Sequence, residues 1–311
     1  MSHPASPDGG ADPGRRHRHL RSFFTGLVAA LAILGLAVGV YGAAVEPRFI
    51  LDEERIQARI PGLGQDWSGA EVMVFSDLQV GMWWDNTGMI ERVVARTVAA
   101  DPEAVLVPGD FLYHSEASLQ ERIQGVVGLL EPLTATEIPV YAVMGNHDYA
   151  VGAVDELTIA LEDHGIEVLA NEAAAVPARD LRPGPGLFIV GMGPASVGEA
   201  DPAKALGQTP EAAPRLVLMH NPTTFPDLPP HSAPMAVAGH THCGQIALPL
   251  LSHWSYLGLT EEEELVADGL APADYGSEGN AMFVTCGIGF SLLPMRINAP
   301  PQLLTVELRP A

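Results

Sequence analysis

From Phe23 to Val45 no charged side chain interrupts the chain, and Leu27, Val28, Leu31, Ile33, Leu34, Leu36, Val38 and Val40 are carried on alanine and glycine. No polar face divides this run, as a helix lying on a soluble core would need. Its 23 residues suffice to cross a bilayer as a helix. Arg15, Arg16, Arg18 and Arg21 precede it with no acid after Asp12, so the positive-inside rule holds the head in the cytoplasm and sends the remainder outward. Gly42 and Ala44 also supply a small-x-small cleavage site, and Arg15-Arg16 is a weak twin-arginine signal. The run exceeds a signal-peptide core of about 7 to 15 residues, which favours an uncleaved anchor. The pattern divides the chain into a disordered head over 1–22, a transmembrane anchor over 23–45 and a folded domain over 46–311.

In the folded part short apolar runs alternate with helical periodicity, the signature of βα units and a largely parallel sheet. Val72 to Phe75 predicts a strand, followed by a helix in which Ile90, Val93, Val94, Thr97 and Val98 share one face and which ends near Asp101-Pro102. Ala104 to Val107 predicts the next strand, and Leu119, Ile123, Val126, Val127 and Leu130 the next helical face. Val140 to Val143, Ile166 to Leu169, Leu187 to Val190, Leu216 to Met219 and Met235 to Ala238 are further strands, with a helix over roughly Ala153 to His164. No internal repeat is visible.

Composition narrows the function. The 311 residues carry a net charge of −22, and removing the head's four arginines and two aspartates leaves 12 basic against 36 acidic residues, about −24. A nucleic-acid binder gains affinity by neutralising phosphates with Lys and Arg, so a nuclease is disfavoured. Cys243 and Cys286 are too few for a disulfide scaffold or a cysteine zinc finger.

The predicted strands end in Ser76-Asp77-Leu78-Gln79, Gly109-Asp110, Gly145-Asn146-His147-Asp148, His220-Asn221 and Gly239-His240-Thr241-His242. Ligands of open α/β sheets bind outside the carboxyl ends of the strands, so these side chains should converge on one crevice. Each alone is ordinary: Asp77 or Asp110 as a helix cap or turn former, His220 as a turn residue. Together, carboxylate, amide oxygen and imidazole make a mixed donor set for Mn, Fe, Zn or Ni, large enough for two divalent ions. Asp110 is the candidate bridge between them.

The order of these motifs resembles that of the calcineurin-like metallophosphoesterases: D-x-H, G-D, G-N-H-D, a lone His, then G-H-x-H. The likeness covers about residues 70 to 310. The tail, Gly287-Ile288-Gly289 and Leu293-Pro294-Met295-Arg296-Ile297-Asn298, is similar to the membrane-associated bacterial branch. The resemblance implies a four-layer α/β/β/α sandwich, with Asp77, Gln79, Asp110 and His242 as one metal site and Asp110, Asn146, His220 and His240 as the other. It further implies that His147 stabilises the developing phosphorane charge or protonates the leaving oxygen, that Asp148 orients it, and that a metal-bridging hydroxide attacks a phosphodiester, pyrophosphate or phosphomonoester. Gln79 stands where the family has histidine, and a neutral amide oxygen is the poorer donor to Mn, Fe or Zn. Two readings follow: an enzyme with altered metal demand, or a binding-only sensor with an impaired first site. The anchor favours an envelope or lipid-linked phosphorylated substrate at the outer face of the membrane, whereas the nucleotide-sugar lipids of the similar branch are usually cytoplasmic.

Other residues are assigned on context. Trp83 and Trp84, just after the first motif, either touch an acyl chain or membrane interface or cap the sheet and core. Cys243 is expected as a small buried residue rather than a ligand or a bridge to Cys286. His164, His231 and His253 are surface or loop residues, and His114 is a weak substrate-contact candidate. Glu261 to Glu264, inside an expected insertion over Ser252 to Gly279, is a solvated acidic face.

Overall fold

The structure is a computed structural model that describes residues 13–177, 186–248, 251–256 and 269–311. The run Glu261–Glu264 lies outside the described residues, as do part of the expected insertion and the side chain of His253.

The predicted βα units are present. Strands Glu71–Val74, Ala104–Val107, Val140–Ala142 and Ile166–Val168 alternate with helices Thr87–Ala100, Leu119–Thr134 and Val154–Asp163. Side chains of a strand alternate between its two faces. Met73, Val105, Val107, Val140 and Ala142 pack beneath the helices, whereas Val72, Val74, Ala104, Leu106 and Tyr141 face the other way. Ser118 caps Leu119–Thr134 in a reciprocal box with Glu121, which satisfies two otherwise orphaned donors at the helix start.

Two strands that the apolar pattern does not reveal complete this six-stranded sheet. Asp52–Ile60 forms its edge and pairs in parallel with Gln302–Pro310, from Asp52 opposite Gln302 to Ile60 opposite Pro310. Gln302–Pro310 in turn runs antiparallel to Glu71–Val74. The edge strand reads DEERIQARI, so charge interrupts its apolar alternation and also discourages edge-to-edge pairing with other chains.

A second six-stranded sheet has the order Gly269–Leu270, Met282–Val284, Ala236–Ala238, Arg215–Leu218, Phe188–Gly191, Glu172–Ala175. Ile189, Leu216, Leu218, Val237 and Phe283 on its inner face meet the first sheet in one core. Its outer face, with Val190, Val217, Met219 and Ala236, is covered by Ala205, Phe225 and Leu228. Two sheets face to face with helical layers outside give the α/β/β/α sandwich.

The N-terminal helix begins at Pro13 rather than Phe23, so the latter part of the expected disordered head is helical. It runs to Val40, passes through a π-helical turn at Tyr41–Val45 and ends in Glu46–Phe49. Residues 21–49 form one helix long and apolar enough to cross a membrane, with its apolar side chains exposed all round. Its foot is fastened to the sandwich. The Gly42 carbonyl accepts from Arg296 N–H at 2.8 Å, and a Cβ on Gly42 would lie 2.5 Å from Ile297. The buried Glu46 carboxylate accepts from the backbone of Asn298 (3.0 Å) and Ala299 (2.8 Å).

One expectation is overturned. Cys243 and Cys286 are joined in a disulfide. Ala236–Ala238 and Met282–Val284 are parallel neighbours, with Ala238 opposite Val284, so the segments after them leave the same end of the sheet and bring the two cysteines to a Cα separation of 4.7 Å.

Candidate metal centre

The five motifs meet at the carboxyl ends of the central strands of both sheets. Backbone bonds lock the loops together: Asp77 N–H to Gly109 O (3.0 Å), Gln79 N–H to Asp110 O (3.0 Å), Gly239 N–H to His220 O (3.1 Å) and Gly289 N–H to Asp77 O (2.7 Å). Asp77, Gln79, Asp110, His240 and His242 all have positive φ, between 48° and 71°. That left-handed conformation is uncommon outside glycine, and its concentration at one place marks a site where the surroundings hold the backbone against local preference. Gly145 is required by close approach, since a Cβ there would fall 2.0 Å from Asp110 Oδ1.

Seven expected ligands are brought together. Asp77, Asp110 and His242 form one group able to hold a metal ion, and Asp110, His220 and His240 a second, each with its donor atoms within 4.8 Å of one another; Asp110 belongs to both. Gln79 Nε2 donates to Asp110 Oδ2 at 2.8 Å, which leaves its buried Oε1 without a hydrogen-bond partner. Asn146 Oδ1 lies 2.8 Å from His220 Nε2.

The chemistry of this set fits cations. His220 Nδ1 is 2.7 Å from the Pro108 carbonyl, which can only accept, so that nitrogen carries the proton. Its Nε2 then turns a lone pair that can accept from His240 Nδ1 at 3.1 Å, while the acceptor oxygens Asn146 Oδ1 at 2.8 Å and Asp110 Oδ1 at 3.4 Å crowd the same nitrogen. Burial and the neighbouring His240 hold the His220 pKa well below the usual range, so a second proton on His220 does not relieve the crowding by the two oxygens. Burial also pushes Asp77 up to about 6, and burial together with the Asp77 and Asp148 carboxylates raises Asp110 well above the ordinary value. Three acids and several neutral imidazoles crowded out of water are more than the buried Arg296 guanidinium beside them can offset, and divalent ions are the natural complement.

His147 donates its backbone N–H to Asp110 Oδ1 at 2.9 Å, while its ring stacks on Tyr113 with centroids 4.9 Å apart and holds Nε2 4.0 Å from Asp110 Oδ2. Burial, with His240 nearby, lowers its pKa to about 4, so the ring is neutral at pH 7. The expected role of Asp148 is corrected. Its carboxylate accepts from the backbone of Gly145 (2.9 Å), Asp110 (3.1 Å) and Leu112 (3.0 Å), so it braces two motif loops rather than the His147 ring.

Sequence reading missed two supports. Arg296, fully buried, donates to Gly289 O at 2.7 and 2.9 Å and to Ala299 O at 3.0 Å, and its Nη2 lies 3.2 Å from His242 Nδ1. A lone cation in the apolar run Leu292-Leu293-Pro294-Met295 to Ile297 was the available signal. Gln245 clasps the same tail through Ser291 and Leu293. His114, His164 and His231 are exposed, and so are Trp83 and Trp84, so neither tryptophan is a core residue.

A model of the calcineurin-like phosphoesterase family matches residues 70–244, more than half of the chain. The phosphodiesterase YaeI of Escherichia coli is 29% identical over 222 residues, 71% of this chain and 75% of that protein. A transmembrane protein with metallophosphoesterase domain from Danio rerio is 26% identical over 315 residues, 92% of this chain and 62% of its own length. The UDP-2,3-diacylglucosamine pyrophosphatase LpxG of Chlamydia trachomatis is 22% identical over 320 residues, 85% of this chain and 91% of that protein. With the five motifs in order and their side chains gathered around Asp110, the chain belongs to the calcineurin-like phosphoesterases.

Proposed function

We propose that the protein is a membrane-anchored, metal-dependent phosphoesterase that hydrolyses a phosphodiester, pyrophosphate or phosphomonoester at the outer face of the membrane. The sharing of Asp110 by two donor groups carries this reading. Asp77, Gln79, Asp110 and His242 would hold one divalent ion, and Asp110, Asn146, His220 and His240 the other. Ions of the manganese, iron, zinc or nickel class supply Lewis acidity there, lowering the pKa of water and offsetting phosphoryl charge. The chain's own part is positioning. Tyr113 holds the neutral His147 ring at the rim of the cluster, where its N–H can meet charge developing on a phosphoryl or leaving oxygen.

Two observations support the outward orientation. The head before the anchor is arginine-rich, and the Cys243–Cys286 disulfide is the kind of bond that persists outside the reducing cytoplasm. The packed foot at Gly42 and Glu46 supports an anchor that is retained rather than cleaved. A lipid-linked substrate is favoured by the anchor and by the diacylated nucleotide sugar in the name of the chlamydial relative.

The amide at position 79 favours a second reading, a metal-binding sensor whose first site is too weak for catalysis. Turnover of bis(p-nitrophenyl) phosphate and p-nitrophenyl phosphate by the full chain in detergent, with metal content measured on the same sample, separates the two. Hydrolysis that depends on added manganese, iron, zinc or nickel, with up to two ions bound, is expected. A folded protein that binds one ion and turns over neither ester with any of them would establish the sensor.

A further inference from the structure

Exposed apolar side chains such as Ile159, Val197 and Leu270 lie singly on the sandwich, but five others share one place. Phe49, Trp83, Trp84, Leu292 and Leu293 are 72, 66, 54, 48 and 41% exposed, and all sit on three segments that meet at the foot of the N-terminal helix. Arg48 joins the segments. Its guanidinium donates to Trp84 O at 2.6 Å, lies 4.8 Å from the Trp84 ring centroid and covers Phe290 at 5.0 Å. Asn86 reaches Pro47 O at 3.0 Å and Ile288 O at 2.9 Å, and Arg92 reaches Phe49 O at 2.9 Å.

The same collar borders the metal cluster. Leu292 N–H donates to Tyr113 Oη at 3.1 Å, and Tyr113 is the ring stacked on His147. Gly289, next to Phe290, donates to the Asp77 carbonyl. Depth can be read along the helix. The charge-free run extends to Val45, yet the tail packs on it at Gly42, three residues before its end. With the α-helical rise of about 1.5 Å per residue as the upper value for this π-helical turn, the Met295–Ile297 contact lies up to about 4.5 Å inside the end of the apolar run. A segment held at that depth is apolar apart from Arg296, whose charge turns inward to Gly289 and His242. Tryptophan beside a spanning helix, with an arginine against its ring, has the composition of the membrane–water interface.

We propose that this collar is immersed in the outer leaflet, so that the mouth of the metal cluster lies in the plane of the lipid headgroups and receives phosphoesters from the membrane rather than from bulk water. The occupant of the face is the bilayer itself. The inference rests on the reading of residues 21–49 as a membrane anchor. Immersion to about 5 to 10 Å is the ordinary depth of an apolar face lying in the headgroup boundary.

Spin labels test it, because both native cysteines are joined in the disulfide and only an introduced cysteine reacts. Full-length Leu36→Cys, Trp83→Cys, Leu293→Cys and Ile159→Cys variants are labelled singly and reconstituted in vesicles of phosphatidylcholine and phosphatidylglycerol. Collisions with oxygen, which enriches in lipid, are compared with those of a water-soluble nickel chelate. Labels at 36, 83 and 293 should show an oxygen-to-nickel ratio several-fold above that at 159, an exposed apolar position away from the foot. A lipid-like label at 36 with water-like labels at 83 and 293 would leave the anchor standing and overturn the immersed collar. A water-like label at 36 would remove the anchor, and the collar with it.

Discussion

Gln79 gives its amide N–H to Asp110 and keeps a buried oxygen unpaired beside the donor group of Asp77, Asp110 and His242. Gln79→His should lower the metal concentration for half-maximal turnover, by at least the roughly 10- to 100-fold that loss of an outer-shell partner costs in such sites. A metal titration with an unchanged midpoint would remove Gln79 from the ligand set. His147 reaches Asp110 through its backbone, which survives truncation of the ring. His147→Ala should therefore cut the rate by roughly 10² to 10⁴ with metal content retained. Loss of bound metal instead would make the ring a ligand. Every residue of the expected donor set lies in the cluster, since each follows a strand that is recognisable from burial on both faces. What the motif could not give was the direction of Asp148. Asp148 and His147 are consecutive in the short helix Asn146–Ala150, and adjacent helical residues do not face each other, so the carboxylate turns to the loops instead.

Among the elements, legibility followed burial. Ala104–Val107 is buried at all four positions and reads directly as a strand, whereas Asp52–Ile60 hides a nine-residue strand behind alternating charge. The disulfide was illegible for another reason. Cys243 and Cys286 meet only because two strands 43 residues apart in their cysteine spacing are parallel neighbours, a long-range pairing with no local signature. The bridge ties the turn that carries His242 to the loop that packs Gly287 on Asp77. Replacing both cysteines by serine should lower stability by about 2 to 4 kcal/mol, as expected for removing a cross-link from an unfolded chain with a loop of this length. It should also raise the metal requirement of the group that contains His242. Thermal unfolding and a metal titration on the same variant check both parts, and an unchanged metal requirement would reduce the bridge to a purely global staple.

At the scale of the whole molecule, the buried cluster makes stability depend on pH in a direction opposite to ordinary acid denaturation. Asp77 at about 6, Asp148 at about 7 and the raised Asp110 keep protons in the folded state that the unfolded chain releases near pH 4, so their contribution falls as pH rises through that interval. His147 at about 4, with the depressed His220 and His242, works the other way, but only up to about pH 6.5, where the unfolded imidazoles are already neutral. Above that point the carboxylates act alone. Chelator-treated protein should lose melting temperature between about pH 6.5 and 8, and manganese should reverse the trend, because deprotonated ligands bind it more tightly. A metal-free melting temperature that is flat or rising over this range would contradict the burial of the acids.

The foot at Gly42 also decides how the protein can be handled in the laboratory. A recombinant version begun at Glu46, just past the apolar run, would uncover Met295 and Ile297 and strip the Arg296 amide of its carbonyl, two steps from the His242 ring. The last turn of the hydrophobic helix is therefore part of the enzyme's own core, and a water-soluble version has to begin upstream of it and be made soluble by changing the exposed apolar side chains of the helix rather than by removing them.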